Sequence, residues 1–483
     1  MSSPQGTSKA EAKKNYMRYR GKATQANGRA SAESLAEAIA AELPQPTELE
    51  DEVADLVTFV RQHIHPKYPL ADCLERGVAF HYGQMPQIVR ARIEDLLKKR
   101  ALRFVCCTST LLQGVNLPAK NIFIENPKRG NGRPMRPGDF WNLAGRAGRL
   151  TKEFHGNVWC IYSKEWDGNP LEGDRIEKVT SAFTTTLATE PEKVLEVIKI
   201  SNRPSEAEDI RLYEHVFGRV FSDYGLEGRT MAELQDIPES KRPVVAEIEK
   251  ECVAVAKRVS LPSEVFRRNT AFSPLKLEEL AAFLRQQAAL RERVPILPMS
   301  PAGYATMQAI FGKLEDVFFH TENKSYVYYC WLASQWIGGT SLKDLISNKI
   351  NRDNVPNEAR EISNTIRALF KDLEETLRYK YVKYLRAYNE VLRSVLEDRG
   401  EKKLIELITP LHLLIEYGAY DQTLINMMAL GMSRTSAILV KAAMHLPSNM
   451  TRPECQQRIN GMDLRRVELP MVCQDELARI RRT

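Results

Sequence analysis

The chain has 483 residues, 43% hydrophobic and 27% charged, with a formal net charge of +7. That length suits two to four domains, each able to bury a core, and the apolar and charged fractions are those of an ordinary soluble protein. No run of eighteen apolar residues is present to span a membrane, and the polar, basic start lacks the apolar segment of a secretory signal. The charge is uneven. Residues 1–30 carry seven Lys/Arg against Glu11 alone, residues 128–152 carry seven against Asp139 alone, and the rest of the chain is net negative. Localised positive charge points to a polyanionic partner more strongly than a uniform excess does. Eight scattered cysteines without a CxxC pair read as reduced, mostly buried thiols of a cytoplasmic protein.

Residues 1–33, rich in Ser, Gly, Lys, Gln and Asn, lack apolar periodicity and read as a basic, disordered or poorly packed tail. Two amphipathic helices follow, over 34–44 and over 48–64, the second with Val53, Leu56, Val57 and Val60 on one face. The chain then alternates. GVAFHY (77–82), LRFVCCT (102–108), NIFIE (121–125) and GNVWCIY (156–162) are strands. A helix over 86–100 starts at Pro86 and ends on basic residues, as the helix dipole favours, and a shorter one lies within 139–148. Strands alternating with helices, in near-continuous apolar runs, predict a mainly parallel sheet covered on both faces, over residues 34–190.

Beyond 190 helical periodicity dominates. The expected divisions are a helical module over 191–300, a helical domain over 301–446 and a charged, loosely held tail over 447–483. An aromatic-rich helix carries Tyr326, Tyr328, Tyr329, Trp331 and Trp336, whose helical spacing favours a core role over a base-stacking platform. Residues 356–398 read as one long helix or a pair. LGMSRTSAILVKAAM (430–444) has the small-residue turn of a helix–turn–helix, with ordinary helix packing as the simpler reading.

Chemistry concentrates in three segments. In TSTLLQGVNLPAK, Thr108, Ser109 and Thr110 leave a buried strand end in succession, where hydroxyls and amides can hydrogen-bond phosphate. Gly114 permits a tight turn, and Asn116 and Pro118 set the exit into the next strand. In NLAGRAGR, Arg146 and Arg149 stand three apart among Gly145, Ala147 and Gly148. Planar guanidiniums beside so thin a backbone suit a closely approaching phosphate chain. In GVAFHYGQMPQIVRARIE, His81 either contacts phosphate or packs beneath the strand end. His63 and His65 have no accompanying Cys, Asp or Glu cluster, so no metal site is expected.

These segments resemble motifs of superfamily 2 helicases, in the superkiller-like DExH branch. The first matches TxxLxxGVNLPA, motif V. The second matches QxxGRAGR, motif VI, with Asn142 in place of Gln. The third matches GVAxHHxGxPxxxRxxIE at His81 and Gly83, with Tyr82 replacing the second His. The resemblance implies a second RecA-like domain over 34–190, a parallel sheet with flanking helices, followed by a helical region with a winged-helix-like module over 191–300. It implies that Arg146 and Arg149 act as arginine fingers on the ATP γ-phosphate, with Gly114, Asn116, Asn142 and Gly145 around the nucleotide. It implies that His81, Gly83, Thr108, Ser109 and Thr110 face nucleic acid. The sequence has no GxxxxGK[ST] and no DExH or DExD box. The expectation is therefore the C-terminal part of an ATP-dependent helicase or translocase, moving in the 3′-to-5′ sense. ATP with Mg²⁺ would be shared with a first RecA-like domain from another chain or a longer gene product. The competing reading is a non-catalytic nucleic-acid-binding or interaction scaffold.

Overall fold

Strands as apolar as those near 80, 105 and 122 must be covered on both faces by helices, and they pair in a five-stranded parallel sheet. In the computed structural model the sheet comprises β1 (Lys22–Ala26), β2 (Val78–His81), β3 (Phe104–Thr108), β4 (Asn121–Ile124) and β5 (Asn157–Cys160). The order is β2-β3-β1-β4-β5, and every pairing is parallel. β2 and β4 are buried throughout and β3 at all positions but Thr108. The structure describes residues 22–26, 28–108, 119–128, 132–148, 156–173, 180–199, 208–230, 236–319, 324–463 and 466–481.

The expected tail differs from what is found. Residues 22–26 form the central strand of the sheet, paired with β3 on one side and β4 on the other. α1 (Arg29–Glu42) begins five residues ahead of its predicted start. The segment KATQA has no apolar run, so its sequence gives no strand signal, and it is its neighbours' hydrogen bonds that hold it.

α2 (Asp51–His63) opens with Asp51 and Glu52 and closes with Arg61 and His63, each set complementing the helix dipole. α3 (Pro69–Leu74) leads into β2. α4 (Gln87–Lys99) ends where Arg100 takes a left-handed conformation (φ 66°) after Lys98 and Lys99. α5 (Pro137–Ala144) starts with proline at its first position, where no backbone donor is lost.

The remaining helices belong to two compact units. α6 (Ala182–Thr189), α7 (Pro191–Lys199), α8 (Glu208–Val220), α9 (Arg242–Ala256), α10 (Ser263–Arg268), α11 (Pro274–Arg285), α12 (Pro301–Phe319) and α13 (Ser325–Ile337) lie in the helical unit. α14 (Leu342–Arg352) and α15 (Ala359–Lys371) lie in the sheet unit. A π-helical stretch, Asp372–Tyr381, runs on into α16 (Val382–Asp398), which with α17 (Lys402–Glu406) and α18 (Leu411–Tyr417) returns to the helical unit. α19 (Gln422–Ala429), α20 (Arg434–Ala443), α21 (Arg452–Gly461) and α22 (Met471–Ile480) complete the sheet unit. Among the described residues of 191–300 there is no strand.

The C-terminal segment expected to be loosely held is packed. Cys455, Ile459, Val472, Cys473, Leu477 and Ile480 are buried. Asp55 of α2 accepts hydrogen bonds from the first amides of α22, Met471 (3.0 Å) and Val472 (3.2 Å). Glu476 of α22 in turn accepts from the amide and the hydroxyl of Ser433, both at 3.0 Å, at the start of α20. Carboxylates on helix N-termini satisfy otherwise orphaned donors and complement the dipole. The α19–α20 turn is packed against α22 through this contact.

Candidate functional site

The two ends of the sheet divide the predicted residues. Because all strands are parallel, His81 and Thr108 close the carboxyl ends of the adjacent β2 and β3. Ala119 precedes β4 and therefore lies at the opposite, amino end. The two edges stand roughly 13 Å apart, for strands of about four residues rising about 3.3 Å each.

At the amino end, α5 delivers Asn142, Gly145 and Arg146 together. Asn142 and Gly145 are exposed and Arg146 is half-buried. The Gly145 amide donates to the Trp141 carbonyl at 2.8 Å and that of Arg146 to the Leu143 carbonyl at 3.1 Å, closing the helix. The chain then joins the end of the motif V segment. Ala147 forms a parallel bridge with Ala119, and the Gly148 amide donates to the Ala119 carbonyl at 3.0 Å. Gly148 sits at φ 82°, where a side chain is strained. Gly156 presses on the same point, since a Cβ there would fall 2.1 Å from the Ala147 carbonyl carbon and 2.3 Å from the Gly148 nitrogen. Gly148 and Gly156 therefore have a local cause: three backbone segments meet there, with no room for a Cβ on Gly156. The requirement at Gly156 was not legible beforehand, because a glycine bounding a strand signals only a turn.

The carboxyl end has different chemistry. His81 is only 2% exposed. Its Nε2 lies 3.2 Å from Glu94 of α4, and among the described residues its Nδ1 has no hydrogen-bond partner. Burial lowers its pKa below the ordinary histidine value, against the opposing pull of Glu94. The ring expected to touch nucleic acid is enclosed beneath the strand end. Gly83 is partly exposed, and a Cβ there would meet nothing within 4 Å. Thr108 is partly exposed at the tip of β3. Ser109, Thr110, Gly114, Asn116 and Arg149 lie outside the described residues.

Tyr82, the departure from the family pattern, has a partner that sequence reasoning missed. Its hydroxyl donates to Glu33 at 2.8 Å and lies 2.9 Å from the Tyr68 hydroxyl. Glu33, 2% exposed, also accepts from Ser363 at 2.7 Å and pairs with Arg367, both on α15. Burial raises the Glu33 pKa, with these donors opposing the rise. The network ties α1, the end of β2 and α15 through one carboxylate. Nothing in the spacing of residues 33, 82 and 363 announces it.

All eight cysteines are free and buried, and burial pushes the Cys107 thiol up to about 12 and that of Cys160 to about 11. Among the described residues no group of three His, Cys, Asp or Glu side chains is placed to hold a metal, and no helix is long and apolar enough to cross a membrane.

Residues 54–151 match the helicase conserved C-terminal domain family. The chain is similar to the ATP-dependent DNA helicase Hel308 of Methanocella arvoryzae, 33% identical over 175 residues, covering 34% of this chain and 24% of the relative. It is similar to the antiviral helicase SKI2 of Saccharomyces cerevisiae, 33% identical over 120 residues, covering 24% and 9%. The anti-bacteriophage protein B of Escherichia coli is 31% identical over 105 residues, covering 22% and 14%. The chain thus spans about a quarter or less of the length of these relatives. The domain match, the named helicases and the motif segments within residues 54–151 together support a superfamily 2 helicase C-terminal region in this chain.

Proposed function

We propose that this region acts as the second motor domain of an ATP-dependent helicase or translocase. Arg146 and Arg149 would serve as arginine fingers, with Gly114, Asn116, Asn142 and Gly145 lining the nucleotide. The observation that carries the reading is the stitched amino-end edge. The Ala119–Ala147 bridge and the close approach of Gly156 hold Arg146 on a thin, fixed backbone next to the motif V exit. Fingers act by meeting charge that develops in the transition state, so a fixed backbone costs no reorganisation at that moment. When bound, ATP with Mg²⁺ supplies the scissile phosphoanhydride and its charge screening. This sequence has neither the phosphate loop nor the acidic box that would hold them, so a first RecA-like domain must provide both. On the other edge, Thr108, Ser109, Thr110 and Gly83 would meet the nucleic-acid strand, with His81 bracing β2 from beneath.

Phosphate release by the purified chain should stay at background, with or without nucleic acid. Combined with a chain bearing the missing motor domain, turnover should appear, and Arg149→Ala should lower it by about 10³-fold or more, the range of arginine fingers elsewhere. Arg149→Lys, which keeps charge but loses the planar fork, should also lose most of the rate without changing the melting temperature. Equal turnover by wild type and Arg149→Ala would favour the non-catalytic scaffold instead.

A further inference from the structure

The large apolar side chains that stay exposed gather in one part of the helical unit. Of the eleven among the described residues, seven fall on two of its segments. Ile296, Leu297 and Met299 lie in the loop before α12, and Leu407, Leu413, Tyr417 and Tyr420 lie on and around α18. The two segments are joined at both ends. The Thr409 amide donates to the Pro295 carbonyl at 2.9 Å, and the Tyr420 amide donates to the Ile337 carbonyl at 3.0 Å, one residue before Gly338. The Met299 sulfur stands 3.7 Å from where a Cβ on Gly338 would be. The frame beneath them is fixed. Tyr388 of α16 donates to the Arg293 carbonyl at 2.8 Å, and Trp336 of α13 donates to the Ile415 carbonyl at 2.9 Å. α18 buries Leu411 and Ile415, yet Leu413 and Tyr417 stay exposed. A helix apolar on both sides is normally covered on both. Charge is scarce here. Residues 294–312 hold no charged side chain. Four exposed charges flank the patch: Lys402 and Lys403 at the start of α17, Glu406 at its end and Glu416 on α18. Among the described residues none of the four forms an ion pair. Arg386 of α16 and Arg399 just after it pair with Glu390 and Glu401 instead.

We infer that this face pairs with the same face of a second copy of the chain, about a two-fold axis. Contiguous exposed apolar patches mark sites of association. A two-fold contact sets one patch against itself, so if residue i meets j, then j meets i again on the other side. This patch satisfies that condition. Its apolar centre repels no copy of itself, and its two cations and two carboxylates sum to zero. The cations come first along the chain and the carboxylates after them. Turned about the axis, Lys402 and Lys403 of one copy face Glu406 and Glu416 of the other, twice. Nucleic acid fits the patch poorly, because it calls for an excess of positive charge. An anionic membrane fits poorly for the same reason. The inference goes beyond the proposed motor role and does not depend on it, since the pairing needs neither nucleotide nor nucleic acid.

The test is sedimentation velocity of the full chain, free of nucleic acid, over a concentration series up to about 100 µM, where even a weak interface is occupied. A species of twice the chain's mass should grow with concentration. Leu413→Asp should weaken the dimer by about tenfold or more, as loss of an interface anchor does. Its melting temperature should not change, because Leu413 already stands in water. Leu407→Asp, outside both helices, gives the same reading should α18 not tolerate the change. Lys402→Glu/Lys403→Glu and Glu406→Lys/Glu416→Lys should each be monomeric alone. Mixing these two variants should restore a dimer, because each reversed charge then meets its opposite. A wild type that stays monomeric throughout overturns the inference. So does a dimer that Leu413→Asp and Leu407→Asp leave intact, which puts the contact elsewhere. Charge variants that dimerise as wild type does, or that do not recover on mixing, overturn the two-fold pairing. All of these outcomes leave the motor reading standing.

Discussion

At the carboxyl ends of β2 and β3 the chain is held by side chains, and at the amino end of β4 it is held by backbone. The first edge depends on His81 against Glu94, Gln84 reaching Glu375 at 2.7 Å, and Tyr82 linking Tyr68 to Glu33. The second depends on the Ala119–Ala147 bridge, on Gly148 donating to Ala119, on the Asn157 amide donating to Lys120 at 2.9 Å, and on the bare Cα of Gly156. The difference bears on one departure from the family motifs, Tyr82. Where side chains hold an edge, chemistry can be exchanged if the new group finds a partner, as Tyr82 does with Glu33. Where backbones touch, as at Gly156, an added Cβ collides.

The largest effect expected on this comparison comes from Gly156→Ala. Its Cβ must displace backbone rather than a flexible side-chain tip, so destabilisation should be about 3 kcal/mol, at the upper end for overpacking. Urea unfolding followed by tryptophan fluorescence would measure it. A loss below about 0.5 kcal/mol, the range of ordinary surface changes, would break the claim that backbone packing defines this edge.

Tyr82→Phe should come next. It removes one donor from a buried carboxylate and should cost about 1–3 kcal/mol, the penalty for leaving a buried polar group unsatisfied. Glu33→Gln combined with Tyr82→Phe should cost less than the two singles summed, because both act on one network. Strict additivity would show that the network does not act as a unit.

His81 gives a smaller, pH-dependent effect. Its folded pKa is below the ordinary 6.5, so the unfolded chain binds the extra proton first. The stability tied to a neutral His81 is fully present above about pH 6.5 and is lost as pH falls below it. Melting temperature between pH 7.5 and 5.5 should therefore drop less steeply in His81→Gln than in wild type, and identical profiles would remove His81 from the account.

Gly83→Ala should be the mildest, within about 0.5 kcal/mol, because its Cβ meets nothing within 4 Å. That makes it a clean probe of function. A drop in single-strand affinity without a change in melting temperature would mark this edge as the one that meets nucleic acid.

The sequence by itself determined the strands and helices that carry their own pattern. β2, β3 and β4 fall within the predicted 77–82, 102–108 and 121–125 because buried parallel strands must be apolar on both faces. α4 was legible from Pro86 and the basic residues at its end. The motif segments that the domain match encloses, and the meeting of Asn142, Gly145 and Arg146, follow from local spacing on α5. Only the tertiary structure decided the rest. KATQA became the central strand because β3 and β4 each offered an unpaired edge, an arrangement that its five residues do not encode. α22 packs because Asp55 and Ser433, distant in sequence, meet its first turn and its middle. Glu33 is tolerated in the core because Tyr82 after β2 and Ser363 and Arg367 of α15 arrive from two other places in the chain. Local patterns report how much of a residue must be hidden from water. Which partner satisfies a buried polar atom is settled when distant segments meet.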